Sequence, residues 1–364
     1  MKDILQNVAL FFLLCFPFHL CGLQSQINDP QIKWVDRFII QEMQKKAIPG
    51  LAIALYYNNQ STIRCYGVAN KTNRNPVSPN TIFEIASLTK VFTTTELALQ
   101  VERGFVKLDD PITNYLPALR QSQGGIRQVT LLQLATHTSR LPREIPGPKG
   151  QRLDIPTILT YLNIWRPFNR GPHLYLYSNL GFKILGLTLS TRAHTTYENL
   201  IATDILKPLG MTSTMIEIPP QLQSYAAQGY NPQDQPTHNL NSVLTGSGAI
   251  KSTIKDLLIF LQANLGLGAP RELTEAFSIA QQGYYKVNDQ LTMGLAWQRL
   301  HKWGIFIIDK DGSLPGFSSY IGMLPEQKIG VVILANKSKI LITQMGRTVL
   351  RHLAQTENYS QYQK

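Results

Sequence analysis

Cysteine is scarce in this chain of 364 residues, which has three cysteines in all. Two of them, Cys15 and Cys21, lie in an apolar segment near the N-terminus. Without that segment Cys65 is a single thiol, which cannot form an intramolecular disulfide. Cys65 lies in a predicted strand and is interpreted as a small buried hydrophobic residue. No group of Cys and His residues has the spacing of metal ligands, so we predict no metal site and no other cofactor.

Apolar runs long enough to span a bilayer are also lacking, since the N-terminal run at residues 8–20 is too short for a stable anchor. Lys2 precedes this run and a small, polar stretch follows it, as in a secretory signal peptide. We therefore expect residues 1–24 to be a signal peptide and the protein to be exported to the periplasm. The bulky Leu20 before Cys21 argues against a lipid anchor.

Acidic residues are few relative to basic ones, and the formal net charge is +12. Residues 1–24 contain one residue of each sign, so their removal leaves the charge unchanged. No Lys/Arg run is interleaved with aromatic residues, so we predict no binding to nucleic acid. The charge favours at most a weak attraction to anionic surfaces of the cell envelope. The sequence does not indicate an oligomeric state.

The hydrophobic pattern predicts a chain with strands near both ends and helices between them. Strands are predicted at residues 51–57, 304–308, 317–324 and 329–335, and amphipathic helices at residues 31–47 and 340–353. We predict an α/β part, residues 25–85 and 295–364, in which terminal helices flank an antiparallel sheet, and an all-α part, residues 86–294. A cleft between the two parts is the expected place for a site.

Ser87 and Lys90 are three residues apart at the start of a predicted helix, so they lie on one face of it. A serine needs a neighbouring base to become a nucleophile, and a desolvated lysine can be that base. The spacing alone is weak evidence, because Ser252 and Lys255 have it too. We interpret that second pair as the solvated first turn of another helix.

Two later segments carry side chains that would complete an acyl-transfer site. Tyr177 and Asn179 supply a phenol and an amide, and Lys310 with Gly312 supplies a cation and a closely approaching backbone. Each pattern is weak by itself, because it recurs at residues 56–58, 197–199, 302–304 and 328–330. His137 precedes these segments and is interpreted as a structural loop histidine with its hydrogen bonds satisfied.

The flanking residues carry a resemblance to a known family. The segments in question are FEIASLTK at residues 83–90, LLQLATHTSRLP at 131–142, YSNLGF at 177–182, KDGSLPGF at 310–317 and IGVVILANK at 329–337. In this order they resemble the class C β-lactamases and the related low-molecular-weight penicillin-binding proteins. The resemblance covers residues 32–353 and implies the serine β-lactamase/transpeptidase fold.

By this resemblance Ser87 is the acylated nucleophile, Lys90 is its proton partner and Tyr177 is the acid/base. Whether Lys90 or Tyr177 takes the serine proton stays open. The resemblance also implies that the backbone N–H groups of Ser87 and Ser313 bind the oxyanion. Asn179 would hold the substrate amide.

Lys310 would bind the substrate carboxylate on a strand that continues through Asp311, Gly312 and Ser313. The chain departs from the family here, because Asp311 replaces the usual threonine. Glu144 stands where many class C enzymes have glutamine, and we include it among the substrate-binding residues. Gly-Ser-Gly at residues 246–248 replaces a tyrosine of the class C deacylation pocket.

Together, the segments TSRLPRE at residues 138–144, YSN at 177–179 and GSG at 246–248 look more like the DD-carboxypeptidase/endopeptidase branch of the family. The leading hypothesis is a periplasmic serine hydrolase that cleaves D-Ala-D-Ala-type peptidoglycan stem peptides through an acyl-enzyme and is acylated by β-lactams. The alternative is a true class C β-lactamase, which differs in how fast water releases the acyl group. An esterase and a non-catalytic penicillin or muropeptide sensor are weaker alternatives.

Overall fold

The computed structural model describes residues 29–147, 154–167, 174–237 and 245–361, with side chains as far as residue 355. The expected signal peptide, residues 1–24, lies outside the described residues. The helices are α1 (Pro30–Lys46), α2 (Thr89–Glu102), α3 (Leu131–Ala135), α4 (Ile155–Ile164), α5 (Asn179–Arg192), α6 (Tyr197–Ile201), α7 (Lys207–Leu209), α8 (Ile254–Asn264), α9 (Arg271–Gln281) and α10 (Ile342–Gln361). The strands are β1 (Gly50–Tyr57), β2 (Gln60–Gly67), β3 (Ile82–Glu84), β4 (Lys251–Thr253), β5 (Tyr285–Lys286), β6 (Leu291–Met293), β7 (Gln298–Lys302), β8 (Ile305–Leu314), β9 (Phe317–Leu324) and β10 (Ile329–Ala335).

An antiparallel sheet with the strand order β2-β1-β10-β9-β8-β7-β6-β5 joins the two ends of the chain. Strand β1 pairs with β10, with Leu51 opposite Ala335. Every residue of β1, β9 and β10 is buried, which explains the almost continuous apolar sequence of β1 and β10 and the small side chains of Ser318 and Ser319 in β9. The predicted antiparallel sheet, built from both chain ends, is confirmed.

Helices α1 and α10 cover one face of this sheet, as predicted. Helix α1 begins at Pro30 because the carboxylate of Asp29 accepts a hydrogen bond from the Gln31 N–H. Its buried Val35 belongs to one apolar cluster with Val349 of α10 and with residues of the central strands. A second apolar cluster on the other face contains residues of α2, α5 and α8. The site described below lies on that second face.

Strand β8 is longer than predicted, because it runs to Leu314 rather than ending at Ile308. Its second half is polar and has no apolar alternation, but Lys310 pairs with Ile321 of β9 and Ser313 with Ser318. Tertiary pairing therefore decides the conformation of this segment. Strands β5 and β6 also join the sheet, so its C-terminal strands begin before residue 295, the predicted boundary. These two strands are too short to give a periodic hydrophobic signal in the sequence.

Cys65 is half-buried in β2, and burial raises the pKa of its thiol to about 11. No helix in the described part of the chain is long and apolar enough to cross a membrane. Residues 29–361, apart from the gaps given above, contain no cluster of three or more His, Cys, Asp or Glu side chains suited to a metal ion.

Candidate active site

The turn that carries Ser87 is held in a strained conformation. Ala86 has φ 51°, in the left-handed region, which costs an L-residue about 1–2 kcal/mol. The Ser319 hydroxyl of β9 donates to the Ile85 carbonyl at 2.7 Å and ties this turn to the sheet. Residues 86–88 form a 3₁₀ turn that leads directly into the buried helix α2. The sheet thus fixes the position of Ser87 at the N-terminal end of a buried helix.

The hydroxyl of Ser87 has two close polar partners. Lys90 Nζ, one helical turn further along, lies 3.1 Å from Ser87 Oγ. The Tyr177 hydroxyl, just before α5, donates to the same oxygen at 2.8 Å. The structure therefore brings these three sequence-predicted residues to one point, with an amine and a phenol both placed to take the serine proton.

Lys90 is fully buried, and its ammonium has three acceptors around it. Besides Ser87 Oγ, Nζ donates to Asn179 Oδ1 at 2.9 Å and to the Ser247 carbonyl at 2.6 Å. Burial lowers the pKa of Lys90 to about 8, although the Tyr177 charge opposes this effect; the Lys310 charge adds to it. A lysine with this pKa is partly neutral near pH 8 and able to accept a proton.

Tyr177 is surrounded by three cations. The charged groups of Lys90, Arg143 and Lys310 lie 5.1, 5.2 and 5.7 Å from the centre of its ring. Burial alone would raise the pKa of Tyr177, but Lys310 and Lys90 lower it to about 8. Because Lys90 and Tyr177 each shift the pKa of the other, they titrate as a pair, and the geometry leaves both as candidate bases.

His137 holds the segment around Tyr177 in place. Its carbonyl accepts from the Leu176 N–H at 2.8 Å, and its Nδ1 accepts from the Ser178 N–H at 3.1 Å. The Ser178 hydroxyl accepts from the Gly181 N–H and caps the N-terminus of α5. Burial, reinforced by the Lys90 and Lys310 charges, lowers the pKa of His137, so the ring is neutral.

The expectation that all hydrogen bonds of His137 are satisfied is wrong. Its Nε2 is buried and has no hydrogen-bond partner among the described residues. The reason is that apolar and aromatic groups enclose the ring: Tyr177 lies 4.3 Å away and Phe182 4.9 Å away, centre to centre.

Glu144 contacts two other side chains of the site. One carboxylate oxygen accepts from Asn179 Nδ2 at 2.8 Å, and the other accepts from Lys183 Nζ at 2.7 Å. The structure therefore brings together Glu144 and Asn179, both predicted to bind substrate. The two side chains form a hydrogen bond with each other. Lys183 was not recognised in the sequence, although its position four residues after Asn179 on α5 places both on one helix face.

Strand β8 brings Lys310 next to Tyr177, on the face of the sheet opposite α10. Lys310 Nζ donates to the Asp311 carbonyl at 2.5 Å and lies 3.5 Å from the Asp311 carboxylate. Burial alone lowers the pKa of Lys310, but the charges of Tyr177 and Asp311 outweigh it, and the pKa is raised. Lys310 therefore stays an ammonium, and part of its charge is neutralised by Asp311.

Gly312 allows β8 to pass very close to the backbone of Ser87. A Cβ at this position would lie 2.4 Å from Ser319 Oγ and 2.9 Å from the Ser87 nitrogen, so any other residue would displace the strand. Ser313 follows and is exposed.

The second Ser-x-x-Lys pair is not a site, and its interpretation as a solvated turn is wrong for the serine. Ser252 is fully buried in β4, where its hydroxyl is 2.7 Å from Thr214 Oγ1. Lys255 Nζ donates a hydrogen bond to Asn80 Oδ1 rather than to Ser252. Pairing of β4 with β3, which is not visible in the local sequence, buries this segment.

Comparison with known proteins identifies the family. The family model described as Beta-lactamase matches residues 35–353, so this chain belongs to the β-lactamase family of serine hydrolases. A β-lactamase of Pseudomonas fluorescens is 30% identical over 338 residues, which cover 84% of this chain and 93% of that protein.

Solved structures show the same fold. A class C β-lactamase in complex with cefoxitin has 29% identity and a TM-score of 0.82, covering 90% of this chain and 98% of that one. A β-lactamase/D-alanine carboxypeptidase from Pseudomonas syringae has 26% identity and a TM-score of 0.80, covering 88% and 99%. The predicted serine β-lactamase fold is confirmed. The names of the relatives favour the β-lactamase alternative over the peptidase that led the sequence hypotheses.

Proposed function

We propose that this protein hydrolyses β-lactams through an acyl-enzyme on Ser87. The observation that carries the proposal is the arrangement of Lys90 Nζ and the Tyr177 hydroxyl, 3.1 and 2.8 Å from the same serine oxygen. Membership of the β-lactamase family and a relative solved with cefoxitin support it. The site requires no cofactor, because the proposed nucleophile and its proton acceptors are all side chains.

In the first step Ser87 Oγ attacks the β-lactam carbonyl carbon while its proton passes to the Lys90–Tyr177 pair. The C–N bond of the ring then breaks, and the pair returns the proton to the leaving nitrogen. An ester with Ser87 results, and the ring nitrogen becomes a secondary amine, or its cephalosporin-derived equivalent, that stays attached to the acyl group.

The groups around this centre would bind the substrate at three points. The N–H groups of Ser87 and Ser313 are proposed to stabilise the oxyanion. They can lie close together because Gly312 has no side chain, which lets strand β8 with Ser313 approach the backbone of Ser87. Lys310 would attract the substrate carboxylate. The second amide hydrogen of Asn179 would donate to the side-chain carbonyl of the substrate.

In the second step a water attacks the ester carbonyl while the same pair removes its proton. The bond between the carbonyl carbon and Ser87 Oγ then breaks, the pair returns the proton to Ser87 Oγ, and the product leaves as a carboxylic acid. The rate of this step separates a β-lactamase from a DD-peptidase, which is the second candidate. Two observations favour the peptidase: Asp311 lies 3.5 Å from the ammonium of Lys310, and residues 246–248 offer Lys90 only a backbone carbonyl. The named activity of the P. syringae relative includes D-alanine carboxypeptidase.

The deciding experiment is intact-mass spectrometry of the protein mixed with benzylpenicillin, followed over time. Rapid return to the free mass with formation of penicilloate is the expected result. A long-lived adduct, together with release of D-alanine from a D-Ala-D-Ala peptide, would favour the peptidase. Absence of any adduct would overturn acylation of Ser87 by β-lactams.

The same proposal includes export to the periplasm, where β-lactams and peptidoglycan stem peptides are both encountered. We also propose the division into an α/β part and a largely helical part, although strands β5 and β6, which precede residue 295, join the sheet of the α/β part. The net charge of +12 adds a weak attraction to the anionic envelope.

A further inference from the structure

A continuous series of polar contacts links Lys183 and the exposed Glu144 to the buried Lys90. Lys183 Nζ donates to Glu144, Glu144 accepts from Asn179 Nδ2, and Asn179 Oδ1 accepts from Lys90 Nζ. The three distances are 2.7, 2.8 and 2.9 Å. From Glu144 inward the exposed fraction falls, from 47% for the Glu144 side chain to none for Lys90.

A carboxylate at position 144 determines which way the Asn179 amide faces. An ionised carboxylate only accepts hydrogen bonds, so it must be met by the NH₂ group of Asn179. The amide oxygen is then directed to the opposite side, where Lys90 lies. A glutamine side chain presents either a donor or an acceptor and does not impose this orientation.

Lys183 holds the carboxylate in place. It lies one helical turn after Asn179 on α5, and its side chain is 19% exposed, which limits its freedom. Both carboxylate oxygens of Glu144 therefore accept hydrogen bonds within the protein, one from Asn179 and one from Lys183.

We propose that Glu144 is a positioning residue, which Lys183 holds so that Asn179 presents its oxygen to Lys90 and keeps the lysine beside Ser87. This goes beyond the expectation that Glu144 binds substrate, and it rests on the proposed acylation of Ser87.

The charge of Glu144 has a second effect, on proton transfer. Glu144 raises the pKa of Lys90, as the Tyr177 phenolate does, whereas burial and the Lys310 charge lower it. The neighbouring His137 is neutral, and Arg143 faces Tyr177. Removing the Glu144 charge makes the base easier to deprotonate, whether that base is Lys90 or Tyr177. Removing the Lys183 charge has the opposite effect.

The test measures the second-order rate of acylation by a penicillin against pH for Glu144→Gln, Glu144→Ala and Lys183→Met. In Glu144→Ala both orientation and charge are lost, so we expect the plateau rate to fall about tenfold, equivalent to about 1.4 kcal/mol. In Glu144→Gln an amide oxygen can still accept from Asn179, so the fall is smaller.

The acid limb of the profile supplies the readout that a merely structural role would not move. We expect it to shift to lower pH by about half a unit in both Glu144 variants, and to higher pH in Lys183→Met. Glu42→Gln is the matched control: it removes a carboxylate that is also paired with a lysine, Lys46, but on α1 across the sheet. Its rate and acid limb should match the wild type.

Four outcomes decide the matter. Opposite shifts in the two kinds of variant support the proposal. Wild-type profiles in Glu144→Ala and Glu144→Gln overturn it, as would losses that differ strongly between two penicillins with different acyl side chains, because these would indicate direct substrate contact. A wild-type protein that accepts no acyl group overturns the proposed function, and this inference with it.

Discussion

Strand β8 carries two buried charges on opposite faces, and their surroundings differ. Asp309 faces α10, where Arg347 donates to both carboxylate oxygens at 2.6 and 3.0 Å and the Tyr320 hydroxyl donates at 3.0 Å. Its neighbour Lys310 faces Tyr177, where Lys90 is a second buried cation. In the first cluster the two charges are matched and both carboxylate oxygens accept hydrogen bonds, whereas the second cluster has an excess of positive charge.

The difference separates a structural cluster from a functional one. Matched, well-bonded charges such as Asp309 and Arg347 fix α10 on the sheet without changing chemical reactivity. Like charges held together, such as Lys90 and Lys310, cost stability but lower the pKa of the phenol between them. An anionic substrate would compensate this excess charge. The following predictions change one side of β8 at a time.

The largest effect is expected for Ser87→Ala, which removes the proposed nucleophile and leaves both charge clusters in place. Covalent labelling by a fluorescent penicillin should be lost completely, because no other hydroxyl has both Lys90 and Tyr177 beside it in the described part of the chain. Ser252→Ala, which changes the second Ser-x-x-Lys pair, should keep its labelling while the protein is folded. Labelling that persists in Ser87→Ala would contradict the assignment.

On the other face, Arg347→Leu should unfold the protein more readily without disabling the site. It leaves the Asp309 carboxylate buried without its cation, a loss of about 3–5 kcal/mol. Urea denaturation measures the free energy of unfolding. The double variant Asp309→Leu/Arg347→Leu should recover much of the stability. A single variant as stable as the wild type would show that this ion pair does not hold α10.

Tyr177→Phe removes the phenol whose pKa Lys310 and Lys90 lower, and so tests what these two cations contribute to the reaction. We expect turnover to fall about 10²-fold, the scale of a lost acid/base group. The wild-type rate should rise as pH approaches 8, where Lys90 and Tyr177 lose their shared proton. Without the phenolate, which raises the pKa of Lys90, the acid limb should shift to lower pH. An unchanged turnover would assign the proton transfer to Lys90 alone.

The site shows which contacts could be predicted from the sequence. Ser87 and Lys90 were found together because one helical turn separates them, and their contact is local. Strands β9 and β10 were predicted with their observed bounds, because residues 329–335 are a continuous apolar run and residues 317–324 are apolar apart from two serines. Tyr177 could be placed near Ser87 only through resemblance to a family, since the contact spans 90 residues.

What the sequence missed depends on long-range contacts with weak local signals. The partner of Lys90 at Ser247 is a backbone carbonyl, which any residue type could provide. Asp309 and Arg347 are 38 residues apart and carry no motif. The bond between Glu144 and Asn179 requires the loop before α4 to lie against α5, which only the folded chain shows.

The smallest effect is expected for Asp311→Thr, which alters the charge balance around Lys310 without removing either cation. The Asp311 carboxylate lies 3.5 Å from Lys310 Nζ and would repel the carboxylate of an incoming β-lactam while neutralising part of the lysine charge. The Asp311 side chain is 38% exposed, so solvent weakens both effects. We expect acylation by penicillins and cephalosporins to become about tenfold faster, equivalent to about 1.4 kcal/mol of transition-state stabilisation.

The measurement is the second-order acylation rate at two salt concentrations, with Asp311→Asn as the control. Asparagine removes the charge but keeps the shape, so a gain shared by both variants is electrostatic and should shrink as salt screens the repulsion. A gain confined to threonine would instead come from a hydroxyl that binds the substrate carboxylate. Equal rates in all three proteins would show that Asp311 does not affect β-lactam recognition, and would remove one reason for keeping the peptidase as a candidate.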